Sequence, residues 1–356
     1  DKRVDSNLLL DMSGMLNDIG FNLDDELGVA NMAEYHYDDG AVYGFPTKYE
    51  NSRWILINED MFKEAGLDIP YDGWTYSEFL ADAEKLTHGE DQDKVYGVCW
   101  ARKQSGKSIL YALDGVLGAN QIYKNEEGTE VNFDNDVYRA GFNLVKETLD
   151  KGYAIPIEDE FSEDISVANT FLQGKCAIML GVAQMRLCMD QENYPHDFTT
   201  ALVPAPVPDD EKYNTEFYRK QIGTTGAGDL LSISANTKYP EASFEFAMWY
   251  LKGGMSPLVQ GGRIPLWNGV NKDEVLSVLK EKAQGSIDMD SMENYLSLDT
   301  TQGVAAIKGH ASSEISSAWF EEFDAMCYGK QSVDQTVQNM EKRGNELIQT
   351  ELSSQK

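Results

Sequence analysis

Basic residues are scarce in this chain: 30 Lys plus Arg face 60 Asp plus Glu, a formal net charge of −30. A field of that sign repels phosphate backbones and anionic lipid surfaces, which removes nucleic acid and membrane surfaces as partners. No apolar run of about 18 residues occurs, so no segment can cross a bilayer as a helix. The opening "DKRVDSNLLLDMSGML" lacks the apolar core and small-residue cleavage site of a secretory signal, so for an exported protein the signal would already be gone. Cysteines number 4, at Cys99, Cys176, Cys188 and Cys327, with no C-x-x-C pair. They lie mostly in apolar runs and read as buried thiols, with a Cys176–Cys188 disulfide as the alternative. His36, His88, His196 and His310 are never at ligand spacing, so no zinc site is expected. There is no G-x-S-x-G nucleophile elbow either.

What is present suits a folded protein with real cores. The chain has 356 residues, 42% of them apolar and only 10 of them proline, enough for two domains. "WILI" at 54–57 reads as a short buried strand, and 59–66, "EDMFKEAG", as a helix stopped by Gly66. In "WTYSEFLADAEKLTHG", Thr75 and Glu78 form a capping-box pattern and Trp74 stands where it would staple the helix start. "KVYGVCW", "KCAIMLG", "TTALVP" and "GDLLSIS" read as strands, and from 273 onward the pattern is helical. Strands alternating with helices predict an α/β architecture with mostly parallel sheets. Trp249 shares helical spacing with Phe244, Phe246 and Leu251 and is expected in the core.

Several local patterns could carry enzymatic chemistry. "ARKQSGKS", Ala101 to Ser108, follows a strand and precedes an apolar helical run, as a phosphate-cradling loop should, with Lys107 and Ser108 in the lysine and hydroxyl positions. Its first glycine is Ala101, however, and no later apolar strand ends in a magnesium-binding aspartate. "GTTGAG", Gly223 to Gly228, has the wrong glycine order and precedes its strand; it suits a flexible crossing between domains. The acidic "IEDEFSED" lacks the spaced oxygens and turn glycine of a calcium loop. A pair of carboxylates for glycoside hydrolysis would be assembled in space, so no local pattern tests it. No cofactor is expected. Trp100, ending a strand, and Trp267, after "GGRIP", are expected in loops, where an indole face suits a sugar.

One ordered set of motifs covers almost the whole chain. "DDGAVYGFP" followed by "WILINEDMFKEAGL", then "WTYSEFLADAEKLT", "KVYGV", "FLQGKCAIMLG", "DLLSISANTKYPEASFEFAMWYL" and "YGKQSVDQTVQNME" resembles the extracellular solute-binding proteins of bacterial ABC transporters. More narrowly, it is similar to the carbohydrate-type group that includes maltodextrin-binding protein. The resemblance implies an α/β, two-lobed periplasmic-binding-protein-like fold of type II, with hinged lobes each built on a mixed sheet flanked by helices. It implies residues 1–47 and 228–275 in the N-terminal lobe, and residues 48–227 and 276–356 in the C-terminal lobe. Strand–helix–strand units are expected ahead of residue 1; at ~30 residues each, the resemblance implies about 60 to 100 further residues of the first lobe before this sequence.

The resemblance further implies a non-enzymatic monomer outside the cytoplasmic membrane, lipid-anchored or periplasmic. Such a protein captures a mono- or oligosaccharide between its lobes and delivers it to an ABC permease. A P-loop-like hydrolase through residues 101–108 or a glycoside hydrolase is the alternative. Glu50 stands four residues after Pro46, where relatives carry a sugar-binding glutamate. Tyr49, Glu50 and Asn51 are expected in the cleft, with Trp100 and Trp267 as flat faces and Gln184, Asp229 and Arg263 as polar contacts. Relatives often carry a tryptophan where this chain has Ala183 and Gln184, which argues against a long glucan ligand.

Overall fold

Two separate sheets organise the computed structural model, which describes residues 2–28, 32, 35, 37, 40–51, 53–103, 106–162, 165–220, 228–297, 307 and 309–354. The first joins β1 (Phe45–Tyr49), β6 (Gly228–Leu231) and β7 (Ile264–Pro265) in the order β6-β1-β7, antiparallel throughout. Leu9 and Leu10 extend the β6 line by pairing with Ser234 and Ile233. The second joins β2 (Trp54–Asn58), β3 (Tyr96–Cys99), β4 (Cys176–Leu180) and β5 (Thr200–Pro204) in the order β3-β4-β2-β5.

The expected mostly parallel pairing is corrected here: only β3 and β4 pair in parallel, while β2 runs antiparallel to both β4 and β5. The alternation of strands and helices did report a common direction for β3, β4 and β5, because helical crossovers return the chain to the same end of a sheet. β2 enters instead from the other sheet through residues 50–53 and inserts between β4 and β5 against them. The chain passes between the sheets again after β5 and before β6; the glycine-rich 223–227 lies outside the described residues. It returns once more between β7 and the bridge of Thr200 with Ile287. β1 stays paired with β7 as far as Tyr49, so a boundary at 47/48 falls inside a strand.

Local signals account for most element starts. Asn58 ends β2 and caps the Glu59–Glu64 helix, its Oδ1 accepting from the Met61 N–H at 3.0 Å. The Thr75/Glu78 capping box is closed in both directions, and Trp74 lies edge-on to Phe79 with ring centroids 5.0 Å apart, stapling the entry. Asn135 and Asn271 cap the Asp136–Asp150 and Lys272–Ala283 helices in the same way.

Around the second sheet the core is dense with aromatics. Phe142 on the Asp136–Asp150 helix meets Trp319 and Phe323 of the Ser312–Cys327 helix, and those two rings stack at 4.9 Å. Each such buried side chain contributes roughly 1.5–3 kcal/mol of apolar transfer. Trp249 departs from its expected place. Phe244, Ala247, Met248 and Leu251 form the buried stripe of the Pro240–Trp249 helix and its continuation, whereas Phe246 and Trp249 are 58% and 60% exposed. The stripe has i, i+3, i+4, i+7 spacing; Phe246 and Trp249 share the opposite face.

Candidate functional site

The passage from β1 to β2 carries the densest set of candidate side chains. Tyr49 is buried and its hydroxyl donates to the Tyr295 carbonyl at 2.9 Å. The Asn51 N–H donates to the Tyr295 hydroxyl at 2.9 Å, and the Asn51 Oδ1 accepts from the Arg53 N–H at 3.1 Å. Asn51 is therefore a buried strut of the passage. Glu50 pairs with Lys48, the two side chains being 19% and 18% exposed. Arg53 is no partner for it: its guanidinium is buried and donates to the Tyr218 carbonyl at 2.9 Å and the Pro206 carbonyl at 3.4 Å. Burial holds Arg53 down at about 10, partly offset by Tyr76 and Asp114.

A second ion pair stands beside the first. Asp229 of β6, in the left-handed region at φ 57°, pairs with Arg263 just before β7. The Thr47 hydroxyl donates to the Asp229 carbonyl at 2.9 Å, and Lys48 faces Gly228 on one side and Pro265 on the other. Four charged groups of alternating sign thus gather at the end of the three-stranded sheet where the chain leaves it. Opposite lies the turn after β4. Gln184 ends the Val182–Gln184 turn and accepts from Arg186 at 3.3 Å. A Cβ at Gly262 would stand only 2.9 Å from the Arg186 Cβ and the Met189 Cε, so this turn abuts the loop that carries Arg263.

The two tryptophans lie elsewhere. Trp100 is corrected from an exposed loop position to the core: it is 1% exposed and donates to the Thr148 hydroxyl at 2.9 Å. Trp267 is half-buried, donates to Glu26 at 2.6 Å and covers Gly269 with its ring. With Tyr49, Leu266 and Leu296 it lines a cavity of about 50 Å³. The structure therefore joins Glu50 to Lys48, Asp229 to Arg263, and Tyr49 to Trp267, and removes Trp100 from the set. Lys48, Arg186 and Tyr295 were not picked out in the sequence. Lys48 could have been, as a charge two residues from Glu50 in an extended segment, but Tyr295 carries no local signal.

The segment that reads as a phosphate loop lies beside a buried carboxylate, that of Glu160. Its Oε1 accepts from the Cys99 thiol at 3.7 Å, while its Oε2 has no hydrogen-bond partner among the described residues. Burial pushes Glu160 up to about 7, with the nearby loop backbone and the Cys99 thiol pulling the other way. The side chain of Lys107 lies outside the described residues. All four cysteines are free, and no group of His, Cys, Asp and Glu suited to a metal ion occurs among the described residues.

Residues 1–252 match the family described as bacterial extracellular solute-binding protein. Among solved structures, an ABC substrate-binding protein from Listeria monocytogenes in complex with cycloalternan shares 17% identity at a TM-score of 0.72, over 97% of this chain and 81% of that one. A solute-binding protein of an ABC transporter from Agrobacterium vitis with bound D-mannitol shares 18% at 0.63, over 99% and 82%. The sugar-binding protein of Xanthomonas citri shares 15% at 0.65, over 99% and 82%. At these identities the likeness speaks for the fold: the α/β periplasmic-binding-protein fold extends over nearly the whole chain.

Proposed function

The chain belongs to the bacterial extracellular solute-binding protein family, and on that premise we propose that its solute is a carbohydrate, a mono- or oligosaccharide, held in a cleft between two hinged lobes. Membership makes it a binding protein with a solute and an ABC permease as partners, and no bond is made or broken. The lobes we assign are residues 1–49 with 228–275, and residues 50–227 with 276–356, each around one of the two sheets. The protein works as a monomer, held outside the cytoplasmic membrane by a lipid anchor or as a periplasmic protein. Closure of the lobes on the solute makes the form that docks on the permease.

The observation that carries this reading is the pairing of Lys48 with Glu50 beside Asp229 with Arg263 at the passage between the sheets. Each carboxylate can accept two hydroxyl hydrogens and each cation can donate to a ring or hydroxyl oxygen. A neutral, hydroxyl-rich solute keeps both pairs balanced, and it meets no repulsion from a chain of net charge −30. Two of the similar solved proteins carry cycloalternan and D-mannitol, which supports the same class.

A thermal-shift panel of D-mannitol, monosaccharides, maltotriose and cyclic oligosaccharides tests it. A solute at 100 times its Kd adds about 2.7 kcal/mol to stability, an increase of several degrees in Tm. If no saccharide or polyol moves the transition while the protein remains folded, the carbohydrate reading is wrong.

A further inference from the structure

Tyr295 is placed to act on the cleft without touching it. It comes from the Met289–Ser297 helix, far along the chain from the β1–β2 passage, and it is fully buried. Its carbonyl accepts from the Tyr49 hydroxyl and its hydroxyl accepts from the Asn51 amide, both at 2.9 Å. Its ring stands edge-on to Tyr49 at 5.2 Å and to Trp54 at 5.3 Å. Tyr49 belongs to one sheet and Trp54 to the other, so one side chain touches both flanks of the passage. Glu50 is the residue between the two that Tyr295 holds. With residues 49 and 51 fixed, the direction in which residue 50 leaves the backbone is fixed too, and Glu50 turns its carboxylate to Lys48.

Resting on the solute-binding reading of this cleft, we propose that Tyr295 is its positioning residue: it aims the Glu50 carboxylate by gripping the residues on either side, and so sets solute affinity. A buried amide donor that loses its partner drives local rearrangement, since leaving it unsatisfied is costly. The hydroxyl matters separately from the ring, whose packing a phenylalanine would keep.

The decisive variant is Tyr295→Phe, with Tyr123→Phe as control, because Tyr123 is another buried tyrosine whose hydroxyl donates to a distant carbonyl, that of His310. Nuclear Overhauser contacts between the Lys48 and Glu50 side-chain methylenes are measured in the ligand-free proteins. They should be lost in Tyr295→Phe and kept in Tyr123→Phe; contacts unchanged in Tyr295→Phe overturn the proposal. Calorimetry with D-mannitol and maltotriose forms the second arm. For a probe the native chain binds, Tyr295→Phe should weaken association about tenfold and add nothing further in a Glu50→Gln background, as coupled residues do. Full additivity of the two variants also overturns the proposal, because a purely structural effect of Tyr295 would not depend on Glu50. Failure of every probe to bind the native chain would count against the carbohydrate reading, and the ligand-free contacts would still decide the role of Tyr295.

Discussion

Arg102 grips Asp324 with two parallel bonds, Nε to Oδ1 at 2.7 Å and Nη2 to Oδ2 at 2.9 Å, and so ties the loop after β3 to the Ser312–Cys327 helix. The guanidinium also lies 4.1 Å from the Phe320 ring centre, with most of its surface covered. Planarity is what this site uses, since the fork meets both oxygens while the flat face meets the ring. Arg102→Lys keeps the charge and loses both. A charge-assisted bond is worth roughly 1.5–3 kcal/mol, so we expect urea unfolding to show a loss of about 2 kcal/mol. A lysine variant as stable as the native chain would mean that a point charge suffices.

Glu160 makes stability depend on pH in a defined direction. Its folded value of about 7 lies above the ordinary 4.5, with burial as the main cause. The folded state therefore holds a proton that the unfolded state releases between those values, and stability falls as pH rises through the window. Above about 7 the whole penalty applies, on the order of 3 kcal/mol from 1.36 kcal/mol per unit. Glu160→Gln cannot ionise, so its unfolding free energy should change less than that of the native chain between pH 5 and pH 8. Parallel curves for the two proteins would show that Glu160 does not titrate there.

The features that were legible in the sequence are those decided locally. The Thr75–Glu78 box and Trp74 announce a helix start because a cap is satisfied by residues within one turn. The run after Pro46 stood out for its aromatic, amide and charges just ahead of the strand at 54–57, but the strand Phe45–Tyr49 that contains Tyr49 was not read from it. Tertiary facts were not legible. The reversed direction of β2 follows from its entry out of another sheet, which no local propensity encodes. Trp100 looked like a loop residue because polar residues follow it, yet its ring turns inward and its indole finds Thr148. Phe246 and Trp249 fooled a reading by spacing because the helix carries apolar residues on two faces and only packing chooses between them.

Gly115 marks a close approach that a side chain would break. A Cβ there would stand 2.3 Å from the Arg53 Nε and 2.4 Å from its Cδ. Arg53 has no room to retreat, because its guanidinium is buried and bonded to the Tyr218 and Pro206 carbonyls. Overpacking alone costs typically about 1–3 kcal/mol, and a displaced guanidinium also loses charge-assisted bonds. Gly115→Ala should therefore lower unfolding free energy by about 2–4 kcal/mol in a denaturant titration. A loss below about 0.5 kcal/mol would mean that Arg53 can shift at little cost.

Glu50 decides whether the passage from β1 to β2 is a site or only a well-buttressed connection. Its carboxylate lies beside Lys48, and neither side chain is more than one-fifth exposed. A carboxylate there can accept two sugar hydroxyls, each bond being charge-assisted and worth roughly 1.5–3 kcal/mol. Glu50→Gln preserves length and shape but removes the charge and one acceptor, and it leaves the Lys48 ammonium without its neutralising partner. Loss of even one such bond exceeds the 1.4 kcal/mol that corresponds to a tenfold change in Kd. Calorimetry with whichever saccharide or polyol the panel identifies should therefore show association at least tenfold weaker. Stability without ligand should change by less than about 1 kcal/mol, since a partly exposed pair contributes little to folding. Because loss of fold would also abolish binding, the circular dichroism spectrum of the variant must match that of the native chain. Unchanged affinity in a properly folded Glu50→Gln protein would leave the Lys48–Glu50 pair as a brace for the turn, and the solute would have to be read by Asp229, Arg263 and Gln184 instead.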